Sequence, residues 1–308
     1  MARKKSAHPL PPRGGLSASR VRLPGTEAVT AWEFIERVIA TQRHKHPDDN
    51  SSALSKRFQD GEVVLRDGTP LSPTTLIAPG TDVFFYRRPA PETPVPFNIE
   101  TLYEDENIMV VIKPPFLATM PRAAHITETA TVRLRRATGN EELTPAHRLD
   151  RETQGLLMLT KRREIRGAYQ QLFANRAVEK RYEAIAADRG LRAPATWQHH
   201  IVKKHGDIAA TIVDNEQPNA HTELLAVSPL NDGSGLARYV LAPVTGRTHQ
   251  LRVQMHHAGV PILHDAIYPE ISRWGEDDFS RPLQLASTSL RFVDPLSATE
   301  REFIAPGL

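Results

Sequence analysis

Three short segments carry side chains of the types from which a reactive site is assembled. The first, residues 144–161 (TPAHRLDRETQGLLMLTK), sets a charged loop directly before a strongly apolar strand. Asp150 therefore falls where a sheet ends, near the interior but reachable from a cleft. A carboxylate there needs a cation beside it, because desolvation otherwise neutralises it. Arg148 and Arg151 flank it in sequence, and Arg247 opens a later helix. A reactive carboxylate and a structural aspartate in an ion-pair network fit this spacing equally well.

The second segment is residues 243–269, PVTGRTHQLRVQMHHAGVPILHDAIYP. On a helix, Arg247 and Leu251 are four apart and share a face. Such a face offers a guanidinium for a carboxylate and an apolar side chain to lie against a flat ring. The third segment, residues 179–186 (EKRYEAIA), puts Tyr182 on a strand between basic neighbours, where its ring could pack on a nucleobase. A tyrosine in the core is the commoner meaning of one such residue. The histidines at 199/200, 205, 256/257 and 264 lack metal-ligand spacing, and the chain has no cysteine, so no metal is expected. Phosphate-loop and dinucleotide glycine patterns are absent too, so no cofactor is expected.

These residues need elements to position them. The alternation of residues 178–187 and the apolar runs 108–112 and 155–160 predict strands, with further strands over 221–228, 237–242 and 285–293. Helical spacing predicts helices over 131–137, 162–175 and 247–257, the last stopped by Gly259. Strands and helices alternate without a regular crossover rhythm, which indicates an α+β fold on a mixed sheet rather than a doubly wound one. Ahead of this domain, residues 97–308, three stretches are expected. Residues 1–24, rich in Pro, Gly, Ser and Arg, read as a disordered basic arm. Residues 25–88 form a small module: a helix through Trp32, Phe34, Ile35 and Val38, a polar loop HKHPDDNSS, then strands around 61–68 and 81–87. Residues 89–96 read as a stiff Pro-rich linker.

The chain of 308 residues has a net charge of +3 and a pI near 9.2. Basic clusters at Arg133/Arg135/Arg136, Lys161/Arg162/Arg163 and Lys180/Arg181 favour phosphate contacts over a uniformly solvated surface. No uncharged apolar run approaches the roughly 20 residues that span a bilayer. The basic N-terminus has no apolar stretch behind it, so a cytoplasmic protein is expected.

Together the segments resemble the RluA-type pseudouridine synthases. HRLDRETQGLLMLTK is similar to their HRLDxxTSGLLLxAK, TGRTHQLRV to their TGRTHQIRV, and KRYEAIA to their KxYxAxV. The resemblance spans roughly residues 97–308. It implies a pseudouridine synthase fold with a mixed, mainly antiparallel central sheet and an enzyme that turns uridine into pseudouridine without metal or cofactor. It implies that Asp150 is the catalytic aspartate, that Arg247 pairs with it, and that Tyr182 and Leu251 pack against the flipped uracil. Arg148 enters the RNA stack, and His147, Lys113 and Arg151 join it in binding substrate. The implied partner is ribosomal or transfer RNA, bound by a monomer. Residues 61–87 resemble the αL-type RNA-binding module of the family. Departures are Gln154 in the TSG motif, Phe116 where the KPxG loop has glycine, His264 where PIxGD has glycine, and Ala286 closing a late RxxLHA pattern that has lost its histidine. A catalytically inactive RNA-binding protein on the same scaffold is the main alternative. A hydrolase using Asp150 fits less well, for want of a general base and an oxyanion-hole loop.

Overall fold

Short apolar runs punctuated by Pro, Gly and Asp-Gly turns fold the first part of the chain into a three-stranded sheet backed by two helices. The computed structural model describes residues 9–271 and 277–308. Residues 1–94 and 120–141 form one unit, and 95–119 with 142–308 form the other. The first contains β1 (Ser19–Arg22), β2 (Val29–Thr30), α1 (Ala31–Ala40), α2 (Ser51–Gln59), β3 (Val63–Leu65), β4 (Leu76–Ile77), β5 (Asp82–Phe85) and α3 (Ala130–Thr138). The sheet order is β1-β5-β3, all antiparallel. Thr30 and Glu33 make a capping box that starts α1. Phe34, Ile35 and Ile39 then meet Leu54 and Phe58 of α2 over Val63, Val83 and Phe85.

Four expectations for this region change. Residues 9–24 are ordered: β1 pairs with β5, and Leu10 and Ala18 bury against Val64 and Phe84. Val21 and Leu23 alternate with Arg20 and Arg22, a strand period concealed by the basic composition. Residues 1–8 of the expected arm lie outside the described residues. The segment 120–141, expected in the larger domain, groups with the smaller unit, where Arg135 and Arg136 donate to the carbonyls of Gly15 and Gly14. Ser51 and Ser52 leave the polar loop to begin α2, because the Asn50 side chain caps their helix. The Pro-rich stretch is fastened down: the Glu92 carboxylate accepts from the amides of Ile126, Thr127 and Glu128 at 2.7–3.2 Å.

The larger unit holds β6 (Glu100–Glu104), β7 (Ile108–Lys113), β8 (Thr144–Pro145), β9 (Gln154–Thr160), α4 (Arg166–Ala174), β10 (Val178–Ala187), β11 (Ala195–Val202), β12 (Thr211–Val213), β13 (Ala220–Pro229), β14 (Leu236–Pro243), α5 (Gln250–His257), β15 (Leu285–Val293) and β16 (Glu300–Ile304). They form one sheet in the order β12-β11-β13-β14-β10-β15-β9-β7-β6, with β8 on β9 and β16 on β15. The pairing is antiparallel except between β9 and β15, so the sheet is mixed and mainly antiparallel. It forks at β15, whose start pairs with β9 and whose end pairs with β16. Tyr169 of α4 packs with Ile108, Val110, Leu156, Met158 and Leu290; Leu251 and Met255 of α5 pack with Ala184, Leu224, Tyr239 and Leu241. Strands β6, β11, β12 and β16 were not expected from the sequence: polar residues interrupt β6, β11 and β16, and β12 is only three residues long. No helix among the described residues is long and apolar enough to cross a membrane.

Candidate active site

Asp150 sits in the turn between β8 and β9, Tyr182 on β10, and residues 244–249 in the loop from β14 into α5. The central strands bring these together around a cavity of about 500 Å³. Of the residues expected in a site, His147, Arg148, Asp150, Tyr182, Arg247 and Leu251 line it. Among the described residues Asp150 is the sole carboxylate in that lining, whereas the cations are Arg148, Arg176, Lys180, Arg247 and Arg252. An electropositive chamber with one acid suits a polyanion that must present a single reacting centre to a carboxylate.

Local backbone devices aim the side chains. Gly155 has φ of +105°, and a Cβ there would press on the backbone of Ser287 in β15. Only glycine allows β9 to close against β15 directly after the Asp150 turn. The Asp150 carbonyl accepts from the Thr153 amide at 3.2 Å, closing that turn. A register shift between Arg181 and Tyr182 bulges β10 where the tyrosine enters the cavity. Buried Gln250 ties the third wall: its amide nitrogen donates to the Thr222 hydroxyl and the His221 carbonyl, and its oxygen accepts from the Arg247 amide and the Thr245 hydroxyl.

Charge in the site is arranged by burial. Burial pushes the Tyr182 hydroxyl up to about 12, with Ser287 opposing and the Asp150 charge adding to the rise. Burial pushes His147 down to about 3, helped by Lys180, and its Nε2 accepts from the Met158 amide while its ring stacks on Phe173 at 4.3 Å. His249, also neutral at pH 7, is lowered by burial to about 4 against the pull of Asp150. Arg252 stays charged although 2% exposed: burial opposes its charge, but the two hydrogen bonds it donates to Asp265 (2.6 and 2.8 Å) and the charge of Asp150 hold it.

Several placements differ from expectation. The last helix starts at Gln250, because His249 adopts a left-handed φ of 56°. Arg247 thus lies in the preceding loop, not on a helix face with Leu251. Its Nε donates to the Asn219 carbonyl at 3.1 Å, and among the described residues it makes no ion pair with Asp150. Lys113 and Arg151 do not line the cavity. Lys113 is fully buried, donating to the carbonyls of Pro114, Leu117 and Arg151 at 2.7–3.1 Å. Arg151 reaches the Phe116 carbonyl and Asp277. Sequence reasoning missed Arg176, His249 and Arg252, and singled out Lys180 only within a basic cluster. Arg252 stood in the quoted TGRTHQLRV run, and its buried pairing with Asp265 was invisible without the fold.

The matching part of the chain can be set beside known proteins. A profile of the family described as RNA pseudouridylate synthase matches residues 107–257. The tRNA pseudouridine synthase C of Vibrio cholerae is 31% identical over 213 residues, 64% of this chain and 86% of that one. The chain belongs to the RluA-type RNA pseudouridine synthases. The ribosomal large subunit pseudouridine synthase C of Escherichia coli is 30% identical over 220 residues, 67% of this chain and 62% of that one. The structure of human RNA pseudouridylate synthase domain containing 1 superposes with a TM-score of 0.56 at 25% identity, covering 70% of this chain and 86% of that one. This pseudouridine synthase departs from the family's glycines at Phe116 and His264, yet both keep left-handed φ of 63°. Phe116 offsets that conformation by packing its ring on Phe97 and Phe279, and His264 by a 3.2 Å contact with the Pro282 carbonyl.

Proposed function

We propose that this synthase isomerises specific uridines of ribosomal or transfer RNA, with Asp150 as the catalytic carboxylate. The supporting observation is the cavity in which Asp150, the one acid among the described lining residues, is accompanied by cations and by Tyr182 and Leu251. A flipped uridine would place its ribose C1′ beside Asp150 and its ring between Tyr182 and Leu251. As the C1′–N1 bond breaks, the carboxylate bonds to or neutralises C1′. The uracil turns within the cavity, C5 bonds to C1′ as any C1′–carboxylate bond breaks and frees Asp150, the C5 proton leaves and N1 gains one. Atoms are conserved, and the walls keep the detached base from escaping. Tyr182 remains protonated through neutral pH, so it presents a neutral ring and hydroxyl. Arg252, held by Asp265 and acting on Asp150, is the buried cation that keeps the carboxylate's surroundings positive. Arg247 and Arg148, both exposed, face the RNA backbone. The smaller unit is read as an RNA-binding module, and the enzyme as a monomer. The test is tritium release from ribosomal and transfer RNA labelled at uridine C5: wild type releases it and Asp150→Asn does not. Equal release by the two would refute the role of Asp150.

A further inference from the structure

The cavity lining reaches beyond Asp150, Tyr182 and Leu251. The charge of Asp150 acts on Lys113, Tyr182, His249 and Arg252. A second group stands apart from these: burial lowers Lys180 to about 8 with Arg176 adding to the fall, and burial lowers His147 to about 3 with Lys180 adding. Arg176, Lys180, His147 and Phe173 all line the chamber. Half-buried Lys180 has its Nζ 3.4 Å from the Thr245 carbonyl. Among the described residues neither Arg176, which is exposed, nor half-buried Lys180 has a carboxylate partner, and two like charges bordering one chamber repel unless an anion joins them.

The backbone makes the same point independently. Arg176 follows the C-cap of α4 with φ of 59°. Its amide donates to the Phe173 carbonyl and that of Ala177 to the Leu172 carbonyl, the hydrogen bonds of a Schellman ending. That position favours glycine, and the arginine that holds this backbone strain lines the cavity.

We propose that Arg176 and Lys180 form a subsite for an RNA backbone phosphate adjoining the flipped uridine, with the His147–Phe173 stack as its floor. The inference rests on the isomerase reading for the identity of the nucleotide, and on geometry alone for the anion. Both residues are positioning groups: they hold the chain on which the reacting sugar hangs, and touch no reacting atom.

The test compares wild type with Arg176→Gly, Lys180→Gln and Lys180→Arg. RNA binding is measured between 50 and 200 mM salt, and tritium release gives KM and kcat. Each neutralising change should weaken binding about tenfold, the worth of one charge-assisted contact. Each should also flatten the slope of log affinity against log salt by roughly 0.7–0.9, one phosphate's share. The loss should appear in KM rather than kcat, and Lys180→Arg should restore most of it. Arg176→Gly should raise the melting temperature by about 2 °C through relief of the left-handed strain. A glycine variant that binds RNA with wild-type affinity and slope overturns the subsite, as does a loss confined to kcat. Should wild type bind RNA yet release no tritium, the isomerase reading fails while affinity and slope still judge the subsite.

Discussion

Replacing Gly155 by alanine tests the idea that one close approach of backbones shapes the site. A Cβ there would lie 2.6 Å from the Ser287 nitrogen and nearer still to its carbonyl oxygen, where real Cβ atoms keep at least 3.0 Å away. Neither neighbour is a flexible side chain, so β9 and β15 must part. The pairings lost are Gln154 with Ala286 and Gly155 with Ser287, the whole parallel contact between these strands. At about 1 kcal/mol per hydrogen bond that removes roughly 1–2 kcal/mol. Holding alanine at φ of +105° adds roughly 1–3 kcal/mol of strain. The sum, about 2–5 kcal/mol, is a large share of an ordinary domain's stability of about 5–15 kcal/mol. Amide exchange on β9 and β15 reads this opening locally, without requiring the two units to unfold together. Tritium release should also fall, because Asp150 and Tyr182 stand on opposite sides of the seam. An opening free energy within about 1 kcal/mol of wild type would refute the reasoning.

Other perturbations follow from the same contacts. Asp265→Asn leaves Arg252 charged in a buried setting and should cost about 3–5 kcal/mol together with most activity; denaturant titration and the tritium assay check both. Lys113 is lowered by burial to about 7 from 10.5, partly offset by Glu152 and Asp150. The unfolded chain therefore binds the extra proton between these values, and wild type should gain stability as pH rises through that window. Against Lys113→Met, which cannot titrate, the gain from pH 7 to 10.5 should approach 5 kcal/mol, roughly; parallel pH profiles of the two proteins in urea would discount it. His147, lowered to about 3 by burial, should likewise make stability fall as pH drops from 6.5 toward 3, measurable as an acid limb that His147→Gln lacks.

The residues that meet in the cavity were largely legible as types and spacings. Asp150 before an apolar strand, Tyr182 on an alternating strand and Leu251 on a helix are local patterns, and local patterns survive without knowledge of the fold. The mixed sheet also followed, since β7, β9, β10, β13, β14 and β15 carry continuous or alternating apolar runs. What escaped were relations between distant segments. The partner of Arg252 is 13 residues away across a turn whose shape depends on His264. Lys113 looked like a ligand for substrate, yet three carbonyls from separate turns close around its amine. Arg247 looked helical until the left-handed His249 set the start of α5. Burial decided each case. A charge or hydrogen-bonding group removed from water takes whichever partner the packed chain brings within reach, and sequence spacing does not record that. The sequence by itself marked Asp150, Tyr182 and Leu251 as candidates; the tertiary structure decided which cations line the same cavity.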